Sequence, residues 1–369
     1  MSSSQNQQES NQNITPPSSF TDQPLTPPPT DEKPFAQAPR VIALFREIRA
    51  GKHSNQGPWI EFQLAEGDYD KIEHLLSQDE ELLGFVEDKI RYDYAAESRR
   101  LVVRMPTAVH ELFIARVEDA VFSQLKSIRE GSDDAAAFAQ RVNPARSTEI
   151  YFPVENDSSG RKSKHEPDAS FWHDSAQYPG VVIEVAYSQK KKRLERLAED
   201  YLLDSDASVQ AVVGLDIEYG KKDSRKATLS VWRAGVFRTA TEDELRVVNE
   251  VADEAFRDDQ GNDTDHPGLR LRLSDFAYEE LVQKELGDQN REIHISGQQL
   301  CQFLAAAESK IQQVRSLGKH SVAPGVHKRR RSETPPEEIA SGDEERYMEQ
   351  ERGVAKRVEA KDLNYEDTS

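Results

Sequence analysis

The chain has 369 residues, 36% hydrophobic and 31% charged, with a mean hydropathy of −0.77 and a formal charge of −19. That length allows two folded domains or one domain with long polar tails, and the composition favours the second. The acidity argues against holding nucleic acid by net charge alone, although a local basic groove stays open. No apolar run reaches the ~18–20 residues of a membrane span, there is no apolar leader, and Cys301 is the single cysteine, so the expectation is a soluble intracellular protein without disulfides.

Residues 1–38 are rich in Ser, Gln, Asn and Pro and read as a disordered tail, as do residues 321–369. Each tail carries a net −3, which leaves −13 for the middle of the chain. One folded domain is expected over 39–290. Val41 to Phe45 is a short apolar stretch, and Trp59, Ile60, Phe62 and Leu64 alternate in part like a strand. Residues 69–86 read as one helix with Ile72, Leu75, Leu76, Leu82 and Leu83 on its stripe. Residues 101–105 read as a strand that Pro106 ends. Thr107 is a plausible N-cap for a strong helix with Val109, Leu112, Phe113, Val117, Val121 and Leu125 at helical spacing.

Short strands are expected at 148–152 and 168–172. Residues 181–187 are almost wholly apolar, as a central strand covered on both faces should be. A helix over 191–203, strands over 209–217 and 227–232, and a half-exposed strand over 268–273 follow. The stretch 241–265 holds ten acids and two bases, so it reads as a solvated excursion, with part of a helix at 245–256. This order gives an α/β domain with a mixed sheet flanked by helices. A late helix within 291–320 carries Leu300, Phe303, Leu304, Ala307, Ile311 and Val314 at heptad-like spacing. It packs back on the domain or serves a homodimer or partner helix.

Chemistry is suggested by two acids. Asp168 follows Glu166 and Pro167 at the start of one strand, and Glu184 interrupts the apolar run of the next. Neighbouring strands would bring them to one end of the sheet, where a cation must offset their repulsion. Mg2+ or Mn2+ could do so and could activate water against a phosphodiester. The alternative for Glu184 is a strand-end acid facing solvent or paired with an arginine.

The string Glu166-Pro167-Asp168 with Glu184-Val185-Ala186 resembles the signature of the PD-(D/E)XK nuclease superfamily. More narrowly, it is similar to the Uma-type family of restriction-endonuclease-like proteins. Met105-Pro106 with His110, the segment from Pro179 to Ser188, Tyr201, the strand 211–217 and Pro267-Gly268-Leu269 recur in the same order, so the resemblance covers roughly residues 69–282. It implies a restriction-endonuclease-like fold and Mg2+- or Mn2+-dependent hydrolysis of DNA, or a catalytically degenerate descendant. The metal ligands carry over to Asp168, Glu184 and the backbone carbonyl of Val185. The superfamily lysine would fall at Ala186 or, in the Uma-type family, at Leu197, and neither can bear charge. Lys190, Lys191 and Lys192 are the remaining lysines nearby, with Lys190 and Lys192 carried as catalytic residues, and Glu111 on the early helix stands where many relatives place a glutamate. The rival function is a non-enzymatic nuclear interaction protein on the same fold.

Other groups invite blander readings. Glu118 lies on the face of Glu111, and both suit a solvated helix edge. His110 falls on the apolar arc as a core histidine, and His165 and His173 lack the spacing of a zinc site. The run 190–193 cradles phosphates or is a solvated helix start. Lys221, Lys222, Arg225 and Lys226 suit a solvated loop, and the run 327–331 reads as a nuclear-localisation signal.

Overall fold

Apolar residues at three- and four-residue spacing turn the first described segment into a helix. The computed structural model describes residues 36–53, 59–154, 160–187, 192–218, 224–238 and 242–316. Helix α1 (Gln37–Arg49) buries Ala38, Val41, Ile42 and Phe45, so the apolar stretch at Val41 is the inner stripe of a longer helix. Strand β1 (Trp59–Gln63) precedes α2 (Asp68–Ser77) and α3 (Glu80–Lys89). The single helix expected over 69–86 is broken here. The Asp79 carboxylate accepts a hydrogen bond from the N–H of Leu82 at 3.1 Å and starts a new helix. Strands β2 (Arg91–Ala95) and β3 (Arg100–Arg104) follow.

Helix α4 (Ala108–Arg129) begins as the sequence suggests, with the Thr107 hydroxyl accepting from the N–H of His110 at 3.3 Å. Next come α5 (Asp134–Gln140), β4 (Val142–Pro144), β5 (Ile150–Pro153), β6 (Lys162–His165), β7 (Ala169–His173) and β8 (Val181–Tyr187). Helix α6 (Lys192–Leu203) then crosses to β9 (Ala211–Ile217), and β10 (Ala227–Arg238) and β11 (Asp243–Arg257) form a long hairpin. Strand β12 (Leu269–Arg272), a 3-10 turn (Leu273–Phe276), α7 (Glu279–Glu285), β13 (Glu292–Ile295) and α8 (Gly297–Ser316) complete the described elements.

The described strands form a mixed α/β architecture. One sheet has the order β1-β3-β2-β6-β5, a second has the order β11-β10-β9-β8-β7-β4, and β12 pairs with β13. In the second sheet β7 runs antiparallel to β8, and β8 runs parallel to β9 through the α6 crossover. Strand β8 is covered on both faces, as its unbroken apolar run requires. Val181, Ile183 and Val185 lie in the main core with residues of α4, while Val182 lies in a second cluster with Leu197, Ala198 and Tyr201 of α6. Helices α1 to α3 pack on the first sheet and make a core of their own.

The stretch 241–265 corrects the sequence reading. It holds a strand, not a helix in a solvated excursion. Leu245, Val247, Val251, Asp253 and Ala255 are sheltered in alternation with exposed Arg246, Val248, Glu250, Ala252 and Glu254. That period of two pairs β11 with β10 from Asp243 to Arg257. Packing against a partner strand overrides acidic composition. Helix α8 buries Leu300, Leu304 and Ala307 in the main core, so it packs back on the domain, whereas Val314 is 53% exposed. Among the described residues no helix is long and apolar enough to cross a membrane. Residues 1–35, the tail 321–369 with its basic run 327–331, and the lysine loop 219–223 lie outside the described residues, while Gln37 and Ala38, expected in the N-terminal tail, open α1, where Ala38 packs in the core.

Candidate functional site

Chain geometry brings the acids to the junction of the two sheets. Strand β6 belongs to the first sheet and β7 to the second, so Glu166, Pro167 and Asp168 form the bridge between them. The β7–β8 register pairs Ala169 with Ile183, which places Asp168 beside Glu184 at the same end. The N–H of Val185 donates to Asp168 Oδ2 at 2.8 Å and pins that carboxylate. Both acids are buried.

Glu184 is paired with an arginine, the alternative that the sequence left open, and that arginine comes from the first sheet. Arg104 ends β3, and its Nη1 donates to Glu184 Oε2 at 2.7 Å while standing 3.7 Å from Asp168 Oδ1. Its Nε and Nη2 meet the Asp93 carboxylate of β2 at 3.0 and 3.2 Å. The β2–β3 register sets Arg91 opposite Arg104, and Arg91 Nη1 donates to Asp168 Oδ1 at 3.2 Å. From α4, His110 Nε2 lies 3.0 Å from Asp168 Oδ2; from α6, the Tyr201 hydroxyl donates to Glu184 Oε1 at 2.7 Å. Each oxygen of Asp168 and Glu184 therefore already has a protein donor.

The electrostatics follow from burial and these contacts. Burial resists charge on Arg104, but Asp93, Glu184 and Asp168 outweigh it and hold the guanidinium pKa well above its ordinary value. Burial opposes ionisation of Asp168 too, yet His110, Arg104 and the Val185 N–H pull its pKa well down. Glu184 is pushed up, by burial first and then by Asp168 and Asp93, against the pull of Arg104. His110 is raised from 6.5 to about 9: burial works against its charge and Asp168 overcomes it.

A cavity of about 50 Å³ opens beside this network. Its polar lining includes Asp168, Glu184, Arg104 and His110, and its apolar lining includes Trp59, Met105, Ala186 and Leu197. Ala186 and Leu197, the two positions that could carry the superfamily lysine, thus line the cavity with uncharged side chains. No lysine lines it among the described residues. Lys190 and Lys191 fall outside the described residues, and α6 begins at Lys192. Arg193 stacks over the Trp59 ring with its guanidinium carbon 5.1 Å from the centroid.

Glu111 stands at the edge of the charged network, with 44% of its side chain exposed. It stands 3.4 Å from Arg91 Nη1 and 3.6 Å from His110 Nδ1. Glu118, on the same helix face, instead lies 3.7 Å from Arg146. His110 is buried and bound to Asp168, so its place on the apolar arc hides a polar role. Among the described residues no group of three or more His, Cys, Asp or Glu is placed to hold a metal ion.

The residues as they stand do not fit a divalent ion. A Mg2+ ion takes a near-octahedral set of oxygens, and the oxygens of Asp168 and Glu184 are engaged with Arg91, Arg104, His110, Tyr201 and the Val185 amide. Sequence reasoning missed Arg91, Asp93 and Arg104. A strand with Asp93 flanked by Tyr92 and Tyr94, next to one ending in Arg104, was the available signal. No protein-family model matches the chain, and no curated protein matches it.

Proposed function

We propose that the chain is a restriction-endonuclease-like domain of the PD-(D/E)XK type that no longer hydrolyses phosphodiesters and works as a non-enzymatic binding module. Three features support the ancestry. Helix α4, antiparallel β7 and β8, the α6 crossover and parallel β9 follow one another in the order that this superfamily would use. Asp168 and Glu184 stand side by side where the resemblance puts its metal ligands. The cavity opens at the end of the same strands.

The loss of hydrolysis rests on one observation: Ala186 and Leu197 line the cavity where a lysine should stand, beside acids already engaged by Arg104, Arg91 and His110. Neither side chain can orient water or stabilise phosphate charge. Lys190 and Lys192, proposed as substitutes, stay candidates for phosphate contact. Arg193 lines the cavity, and with those lysines near it in sequence DNA is the first partner to test.

The test is incubation of the full chain with supercoiled and linear DNA in Mg2+ or Mn2+. The expected result is no more cleavage than with an Asp168→Ala or Glu184→Ala chain. Cleavage by the wild type that both variants lack would overturn the proposal and restore a metal-dependent endonuclease. Fluorescence anisotropy with a labelled duplex reads DNA binding separately, and phosphate-dominated contacts weaken steeply with salt.

A further inference from the structure

Acids buried at this separation cannot all ionise without a positive charge among them. Here the chain supplies that charge itself. The Arg104 guanidinium, with its side chain only 8% exposed, reaches Glu184 at 2.7 Å, Asp168 at 3.7 Å and Asp93 at 3.0 Å. We propose that Arg104 is a permanent, chain-borne counter-ion occupying the position of a divalent metal, so that the domain folds and holds its acid cluster without any ion. The proposal rests on the binding-module reading but is narrower, because a non-hydrolytic module could still need a structural ion.

The position is built, not incidental. Strand β3 lies between β1 and β2, and Pro106 and the Thr107 cap follow Arg104 at once, so the backbone is fixed on both sides. The planar guanidinium donates from Nη2 to one Asp93 oxygen and from Nη1 to Glu184, with Nε 3.0 Å from the second Asp93 oxygen and Nη1 3.7 Å from Asp168. A lysine ammonium is a point charge and could not span these partners.

Charge balance points the same way. Asp93, Asp168 and Glu184 face Arg104, with Arg91 and His110 on the Asp168 side. With Glu111 beside Arg91 and His110, four carboxylates meet three cations of the chain itself, which offset most of the cluster's charge without an ion. Spacing agrees as well: the acids surround a group wider than an ion, and among the described residues no three metal-binding side chains converge.

Thermal unfolding and calorimetric titration of the full chain test this. Millimolar Mg2+, Mn2+ or EDTA should move the wild-type transition by no more than about 1 °C, whereas an ion at about a hundred times its dissociation constant would raise it by about 5–10 °C. Arg104→Ala should lower the transition by about 10 °C, and Arg104→Lys should lose clearly less than Arg104→Ala. An alanine chain that fails to fold beside a lysine chain that folds is the same order of effect.

Equal transitions for the two variants would assign Arg104 to packing alone and overturn the proposal. So would an Mn2+-dependent rise in the wild type that Asp168→Asn abolishes. Metal binding without cleavage would remove this inference and leave the binding-module reading standing; cleavage would remove that reading.

Discussion

His110 offers a titration that isolates one member of the buried network. Its imidazole is raised from 6.5 to about 9, because Asp168 at 3.0 Å outweighs the cost of burying the charge. Between those values the folded chain holds a proton that the unfolded chain releases. The contribution to stability is therefore complete below pH 6.5 and disappears as pH rises through about 9. At roughly 1.4 kcal/mol per pKa unit the full contribution is about 3 kcal/mol. The assay is urea unfolding of the wild type and His110→Gln at intervals from pH 6 to pH 9.5, with the difference between their stabilities plotted against pH. Subtraction removes most groups that titrate alike in both chains, including the lowered imidazoles of His165 and His173. Glu184, held above its usual range, adds a loss of the same sign in both chains. The wild-type advantage should fall by about 3 kcal/mol across that interval. Parallel profiles, or an advantage that grows with pH, would refute a charged His110 bound to Asp168.

Packing gives two further expectations. A Cβ at Gly180, just before β8, would stand 2.2 Å from the carbonyl carbon of Phe276 and 2.5 Å from the Asp275 oxygen, both of them backbone. Gly180→Ala should cost at least the roughly 1–3 kcal/mol of an overpacked core in urea unfolding, and a loss below about 0.5 kcal/mol would contradict that close approach. In α8, Leu304→Ala should cost about 2–5 kcal/mol, while Val314→Ala should stay within about 0.5 kcal/mol. Equal effects would mean that the helix does not dock by the face assigned to it.

Elements with a strong period and few competing signals were legible. Strand β8 stood out because seven nearly unbroken apolar residues suit a strand covered on both faces. Helix α4 carried both a cap and a stripe. Failures have identifiable causes. The α2–α3 break depends on one side-chain bond from Asp79, which an apolar stripe running across it conceals. Strand β11 mixes acids with valines, and only the ladder to β10 selects its period of two. Strands β2 and β6 carry charged side chains, including Asp93 and Lys164, that the fold buries in pairs.

The same physics explains why only part of the site could be read. A carboxylate inside an apolar string is a local anomaly, so Glu184 and Asp168 were visible. The arginine that answers them lies 80 residues from Glu184, and its place at the end of β3 does not by itself say which acid it meets. The pairing exists only once two sheets have docked: β2 and β3 bring Asp93 and Arg104, while β7 and β8 present Asp168 and Glu184. A misdocked pair of layers would leave a buried charge unpaired, a cost of about 3–5 kcal/mol for breaking such a contact. An apolar replacement of similar volume would lose little stability by the same reasoning, so the network's contribution is the choice of register between layers. A mobile ion could not make that choice, because it carries no connection to β3. An arginine anchored between Val103 and Met105 can, and it ties the acid pair to a single arrangement of the two sheets.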